Sequence, residues 1–205
     1  MLTKHKRDGL MVPKGKRALK IVKSFLGLLG DDIEREGLQE TPRRVLAAWE
    51  EWAAGYDKDP KDVMKTFKDG GESYDEVVFV GSIPLYSTCM HHLAPFFGVA
   101  HVAYIPNGKI IGLSKIPRLV EIYARRLTVQ EKITTEVAEA LQKYLQPRAV
   151  GVTLRCRHLC LESRGVQKPG TITTTTALLG AFKEEASARA EFLQYVKMSD
   201  EKATI

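Results

Sequence analysis

The tetrapeptide Cys89-Met90-His91-His92 places three potential metal-binding or proton-transferring side chains together. Cys89 and His92 are separated by two residues, a spacing at which a short turn can bring a thiolate and an imidazole to one zinc ion. His91 has only one intervening residue and suits the same chelate less well. Alone the pattern is weak, because such pairs also occur in loops that bind no metal.

A second chemical group ends an apolar run at residues 149–160. Strand side chains of one parity share a face, and here they are Val150, Val152, Leu154, Cys156, His158 and Cys160. Because four strand residues span about 13 Å, Cys156 and Cys160 cannot bind one ion without a bend. We therefore assign Cys160, at the strand end, as a ligand and interpret Cys156 as a small buried apolar residue.

Cys89, His92 and Cys160 together predict a zinc site with three protein ligands. Three ligands leave the fourth position for water, which is typical of catalytic zinc, whereas structural sites usually have four. Zinc lowers the pKa of bound water towards about 7. His91 and His158 would lie beside the metal without binding it, where general acid–base groups are needed. For either histidine alone, a hydrogen-bonded structural role would be the simpler interpretation.

A basic group stands where a helix is expected to begin. It consists of Ser114, Lys115 and Arg118, and Arg164 follows Cys160 by four residues. The positive end of the helix dipole adds to these charges, so the group could bind phosphates. A solvated basic rim is the alternative.

The bulk composition fits one soluble globular domain with a helical extension. The chain has 205 residues, of which 44% are hydrophobic and 27% charged, with a net charge of +6. No stretch approaches the roughly 18–20 apolar residues of a membrane span, and the first residues lack a signal-peptide core. We expect a cytoplasmic protein, in which three cysteines favour metal or catalytic use over disulfides.

Periodicity and turn signals predict the elements. Helices are expected over 17–29, from Thr41-Pro42, from Ser114, from Thr128 with Glu131 in a capping box, and over 183–196. Strands are expected over 76–80, 98–106, 109–113, 149–160 and 171–176, with a hairpin turn at Asn107-Gly108.

This order, helices first and then strands mixed with helices, predicts an α+β fold with a largely antiparallel sheet. Three regions are expected: a basic flexible N-terminal tail over 1–16, a helical region over 17–75 and a catalytic domain over 76–205.

Four motifs in order resemble those of the type I GTP cyclohydrolases. They are Cys89-Met90-His91-His92, Gly112-Leu113-Ser114-Lys115-Ile116, Val129-Gln130-Glu131, and His158-Leu159-Cys160 with Arg164-Gly165-Val166. The resemblance covers about residues 36–196. It implies the tunnelling fold, an antiparallel sheet backed by helices with an N-terminal helical extension, and a toroidal homodecamer with sites at subunit boundaries.

The implied reaction is zinc-dependent hydrolysis of GTP to 7,8-dihydroneopterin triphosphate and formate. It is the first step towards pterins such as folate and tetrahydrobiopterin, or towards 7-deazapurines. The downstream pathway is left open by the sequence.

The resemblance also implies roles for individual residues. Cys89, His92 and Cys160 match the zinc ligands, and His91 and His158 match the histidines of proton transfer. Glu131 matches the carboxylate that holds the guanine edge, with Gln130 beside it in the substrate site. The triphosphate contacts are matched by Ser114, Lys115, Arg118 and Arg164, and Arg44 resembles a basic residue that reaches in from a neighbouring subunit.

Two positions depart from the family pattern. Met90 stands where many members have glutamate, and Ala47 stands where some carry a lysine. The first change could alter the surroundings that tune metal affinity, and the second would remove one phosphate contact. Neither affects an expected ligand.

Two other classes of protein compete with this interpretation. A nitrile reductase of the same fold class would need a nucleophilic cysteine and NADPH but no zinc. A basic, zinc-stabilised nucleic-acid binder would need a closed four-ligand site and aromatic residues interleaved with basic ones. The clustered ligands favour the cyclohydrolase, so we expect no nucleic-acid partner.

Overall fold

The computed structural model describes residues 15–201, so nearly all of the tail predicted over 1–16 lies outside the described residues. The α-helices of the described part are α1 (Lys16–Leu28), α2 (Glu36–Gln39), α3 (Thr41–Trp52), α4 (Pro60–Val63), α5 (Lys115–Ala124), α6 (Gln130–Leu145), α7 (Leu159–Glu162), α8 (Ala181–Glu184) and α9 (Ala186–Asp200). The strands are β1 (Thr66–Phe67), β2 (Val78–Cys89), β3 (Pro95–Ile105), β4 (Ile110–Ile111), β5 (Leu127–Thr128), β6 (Ala149–His158) and β7 (Ile172–Gly180).

The main sheet has five strands in the order β5-β2-β3-β6-β7. The three long pairings are antiparallel, and the two-residue β5 runs parallel to the end of β2. The fold is therefore α+β with a largely antiparallel sheet and an N-terminal helical extension, in which α1 packs against α3. These features confirm the predicted fold class. The division into regions at residues 75 and 76 stays a prediction.

The hairpin predicted at Asn107-Gly108 is wrong. Instead of pairing with β3, β4 pairs with the distant β1, with Thr66 opposite Ile111. The predicted turn needs positive φ at both central positions, but of these two residues only Gly108 has it, at 68°. The turn therefore directs the chain away from β3.

Two layers of helices cover the two faces of the sheet. One face packs on α5 and α6 and forms the larger core, which includes Phe96, Leu154 and Cys156. The other face packs on α9 through a smaller cluster that contains Phe192. Gly151 makes this second contact possible, because a Cβ atom there would lie 2.9 Å from the Phe192 ring. Central strands covered on both sides hold their side chains in fixed positions.

The helix that carries the third motif begins differently from the prediction. α6 begins at Gln130 after Val129, and no side chain caps it. The Thr128 hydroxyl donates to the Val129 carbonyl and accepts from no backbone N–H of the helix, so the predicted capping box is wrong. Gln130 and Glu131 thus both lie in the first helical turn. Across residues 15–201, no helix has the length and apolarity that a membrane span requires.

Candidate metal and active site

The register of the sheet brings the two cysteine motifs together. The turn between β2 and β3 carries His91 and His92, and Cys89 donates its backbone N–H to Ala94 across the base of this turn, at 2.9 Å. Phe96, near the beginning of β3, lies opposite His158, the last residue of β6. The ends of β2 and β6 therefore flank the same end of β3.

A bend in the chain after β6 brings Cys160 close to Cys89. β2 and β6 are separated by β3, a distance of about 9.5 Å at standard strand spacing. The chain leaves the strand after His158, and the single turn α7 packs against β3 and carries Cys160 back towards Cys89. The sequence prediction placed Cys160 at the strand end; it lies in this turn.

Cys89, His92 and Cys160 form the one group within residues 15–201 whose donor atoms are arranged to hold a metal ion. Their donor atoms all lie within 4.8 Å of one another, and Cys89 Sγ is 3.8 Å from His92 Nδ1. Cys89 is buried, Cys160 is half-buried and His92 is exposed. The group therefore has an apolar base and an open side.

The chemistry of these donors fits zinc. Two sulfurs and one imidazole are the soft and intermediate ligands that zinc prefers, at about 2.3 Å and 2.0–2.1 Å. Donors of a tetrahedral zinc lie about 3.5–4 Å apart at those bond lengths, and Cys89 Sγ and His92 Nδ1, 3.8 Å apart, fall in this range. Burial, and then the neighbouring Cys89, raises the pKa of the Cys160 thiol. A bound cation offsets that penalty because it stabilises both thiolates.

Cys156 lies two residues before His158 but belongs to the core. It is fully buried, and burial raises the pKa of its thiol to about 12. A thiol in such surroundings is inert. Its interpretation as a small apolar residue agrees with this position.

His158 is held on one ring face and at one ring nitrogen. The Phe96 ring stacks on it with centroids 4.6 Å apart and an interplanar angle of 7°. Its Nε2 lies 2.8 Å from Oε1 of Gln130. Burial lowers the pKa of His158, while the carboxylates of Glu131 and Glu162 act in the opposite direction.

The other predicted site residues have different surroundings. His91 is exposed, with its ring 6.2 Å from that of His92. Glu131 is exposed in the first turn of α6 and close enough to His158 to affect its pKa. Gln130 is 1% exposed, and its amide bonds to the Leu154 carbonyl and to the His158 ring.

The basic residues do not contact the metal-binding group directly. Ser114 is exposed at the N-cap of α5, followed by Lys115 and the exposed Arg118. In the described range, no side-chain hydrogen bond or ion pair joins them to Cys89, His92 or Cys160. Arg164 is exposed beyond α7, and its charge lowers the pKa of Cys160. Arg44 is exposed on α3.

Sequence reasoning missed Phe96 altogether and missed the contact between Gln130 and His158. Both depend on the register of β3 against β6 and on the packing of α6. One local signal existed for Phe96, because an aromatic residue at the start of a strand is a candidate to cover the end of a neighbour. No local signal identified its partner.

Together the fold and the site define a class: an α+β protein with three potential metal ligands converging at one end of its sheet, beside a half-buried histidine. The family model for GTP cyclohydrolase I matches residues 18–197. The chain belongs to the GTP cyclohydrolase I family, with the α+β tunnelling fold that this resemblance implied.

Relatives named GTP cyclohydrolase 1 support the assignment. One from Nitrosospira multiformis is 58% identical over 169 residues, which cover 82% of this chain and 88% of the relative. One from Janthinobacterium sp. (strain Marseille) is 52% identical over 172 residues, 84% of this chain and 87% of the relative. Among solved structures, the apo form of the archaeosine synthase QueF-Like matches with a TM-score of 0.41 and 20% identity over 51% of this chain and 93% of that one.

Proposed function

We propose that this chain hydrolyses GTP to 7,8-dihydroneopterin triphosphate and formate with a zinc ion held by Cys89, His92 and Cys160. The observation that carries the proposal is the convergence of these three donors within 4.8 Å in a chain of this family. Zinc in such a site supplies a Lewis acid that makes hydroxide available near neutral pH. Proton transfer and substrate binding are assigned to the side chains around the metal-binding group.

His158 is proposed to move the proton during opening of the imidazole ring. The nitrogen that leaves C8 of guanine must gain a proton, and an imidazole can supply it near neutral pH. Two features support His158 in this role. Stacking on Phe96 fixes its ring plane, and burial lowers its pKa, so the neutral ring can first take the proton released by the attacking water and then pass it to the leaving nitrogen. His91, exposed beside the metal-binding group, is proposed as the second proton-transfer group.

Glu131 is proposed to orient the guanine base. A carboxylate accepts hydrogen bonds from the N–H groups on the guanine edge. Glu131 is exposed and acts electrostatically on His158, so a base bound to its carboxylate would lie close to that imidazole. This proximity is the support for pairing the two roles.

The triphosphate is proposed to bind Ser114, Lys115, Arg118 and Arg164. Paired cationic contacts are strong for phosphate oxygens, and α5 offers its positive end to the same anion. Arg164 acts electrostatically on Cys160, which supports a position near the metal. Arg44, remote on α3, is proposed to serve a neighbouring subunit's site.

Assembly into a homodecamer with sites at subunit boundaries is part of the proposal. The outer edge of β7 has no partner strand in the range 15–201, and a nine-residue open edge is a template for pairing with another copy. The chemical groups described above are spread over several elements, which is consistent with sites completed between copies.

A cytoplasmic location is also proposed. All three cysteines are free thiols, and a thiol-based metal site persists in a reducing compartment.

Incubation of the zinc-loaded full chain with GTP tests the proposal. We expect release of one formate per GTP and a pterin that becomes fluorescent after oxidation. A chelator should abolish both signals, and added zinc should restore them. A matched sample with ATP controls for recognition of guanine by Glu131. Formate release that is unaffected by metal removal would contradict the zinc site, and no turnover of GTP by zinc-loaded enzyme would contradict the function.

A further inference from the structure

Gln130 is a buried amide whose orientation is fixed by its neighbours. Its nitrogen lies 3.1 Å from the Leu154 carbonyl oxygen and 3.0 Å from that of Thr173. A carbonyl oxygen only accepts hydrogen bonds, so the group facing both must be the NH2 donor. The reverse orientation would place three carbonyl oxygens together.

A hydroxyl chain reinforces this orientation. The Gln130 nitrogen also lies 3.0 Å from Thr175 Oγ1. Thr175 Oγ1 is 2.6 Å from Thr134 Oγ1, which in turn donates to the Gln130 backbone carbonyl at 2.9 Å. Thr175 therefore donates to Thr134 and has lone pairs free for the amide. All three described neighbours of the Gln130 nitrogen can accept a hydrogen bond, and its two N–H donors are shared among them.

The oxygen of the Gln130 amide determines which ring nitrogen of His158 carries the proton. With its nitrogen fixed, Gln130 presents Oε1 to His158 Nε2 at 2.8 Å. An amide oxygen cannot donate, so Nε2 must carry the proton. A neutral imidazole has only one N–H, which leaves the lone pair on Nδ1. Within the described chain, Nδ1 has no hydrogen-bond partner.

From these contacts we infer that Gln130 is a positioning residue: it holds His158 in the Nε2–H tautomer, so that Nδ1 is the ring atom that exchanges protons with substrate. The inference rests on the proposed function and assigns Gln130 a role other than direct substrate contact. Stacking on Phe96 holds the plane of the ring. A neutral amide selects the tautomer without adding charge next to the metal-binding group.

The direct test is solid-state 15N NMR of the zinc-loaded enzyme with labelled histidine, a method that does not depend on particle size. The chain has five histidines, and a His158→Asn sample identifies the His158 signals by their loss. We expect a protonated Nε2 and an unprotonated Nδ1. A protonated Nδ1 with a bare Nε2 would overturn the inference. This measurement needs no turnover, so it stands apart from failure of the GTP assay.

A pair of variants at Gln130 tests the consequence for catalysis. Gln130→Met removes the acceptor at similar volume, and we expect kcat to fall by roughly 10–100-fold, the usual loss when a residue that orients an active-site histidine is removed. KM for GTP should change less than about threefold, because Gln130 does not bind GTP. Gln130→Glu keeps an acceptor for Nε2, and in its protonated form it also keeps a donor for the carbonyls. It should recover most of the lost kcat.

Thr176→Val serves as the matched control. It removes a hydroxyl from the same strand, one that lies 3.1 Å from Thr153 Oγ1 and is not among the described partners of Gln130, so kcat and the His158 15N signals should stay near the wild-type values. An unchanged kcat in Gln130→Met, or a rise in KM without a fall in kcat, would overturn the inference. If Gln130→Met does not fold, the wild-type spectrum and the Gln130→Glu kinetics still decide it.

Discussion

His158 and His101 are two shielded imidazoles on neighbouring strands of the sheet, and they differ in one hydrogen bond. His158 ends β6 on the face covered by α6, and His101 lies within β3 on the face covered by α9. Burial lowers the pKa of both. Each places Nε2 against a side-chain oxygen, that of Asp200 at 3.0 Å and that of Gln130 at 2.8 Å.

His101 and His158 differ in the hydrogen bonding of the second ring nitrogen, Nδ1. His101 Nδ1 accepts the backbone N–H of Ser82 at 3.2 Å, so both of its nitrogens are used within the protein. Its partner Asp200 also pairs with Arg155 at 2.7 Å, which ties the end of α9 to the sheet. His158 keeps Nδ1 without a partner in the described residues. A shielded imidazole with both nitrogens bonded stabilises the fold, whereas one with a free nitrogen is available for chemistry.

The largest effect on turnover is expected from removal of a metal ligand at the end of the sheet that carries His158. Cys89→Ser replaces a thiolate with a weak hydroxyl ligand, so we expect zinc binding to be lost. Several kcal/mol of transition-state stabilisation would be lost with it, a fall of about 10³-fold or more in turnover. Zinc content and formate release measure the effect.

Cys156→Ala is the control for the metal-ligand variant, because it removes a neighbouring sulfur that faces the core. It should keep its zinc and most of its activity while losing some thermal stability. Equal zinc loss in the two variants would show that the cysteines were assigned to the wrong roles.

Exchange of each histidine for asparagine tests the comparison itself. His158→Asn should lower turnover by about 10²–10⁴-fold, the usual worth of a general acid, with a small change in the free energy of unfolding. His101→Asn should do the opposite, with a loss of about 1–3 kcal/mol in stability and near-normal turnover per folded protein. Denaturant unfolding and GTP turnover measure both. A large loss of activity without loss of stability in His101→Asn would remove the distinction.

Side-chain chemistry with strong local constraints could be predicted from sequence. The spacing of Cys89 and His92 and the need for a bend before Cys160 identified the three donors, because chelate spacing and strand rise are local quantities. The fold class followed from the order of periodic segments.

The features that the sequence did not reveal depend on contacts between residues that are far apart in the chain. The strand β4 pairs with β1 because of tertiary packing, which no turn signal at Asn107-Gly108 could reveal. The assignment of Gln130 to the substrate site stays a prediction; what the sequence did not reveal is that the helix directs Gln130 into the core and its neighbour Glu131 to the surface. The stack of Phe96 on His158 required the strand register.

The smallest expected effect is a pH dependence of stability at His101. Because burial lowers its pKa in the folded state, the unfolded chain, with a histidine pKa near 6.5, binds a proton that the folded chain does not. The free energy of unfolding should therefore fall as the pH drops from about 6.5 towards the folded pKa, by at most about 1.4 kcal/mol per pH unit for this one group. The Asp200 carboxylate opposes the shift, and Arg155 adds to it.

Wild type and His101→Asn should be unfolded by denaturant between about pH 5 and 7.5, with chelator present so that release of metal does not contribute. Asparagine does not titrate there, so the variant should lose less stability across this window. The difference between the two slopes isolates His101 from the other histidines. Parallel pH profiles would mean that His101 takes up its proton in the folded state as readily as in the unfolded one, and that burial does not hold it neutral.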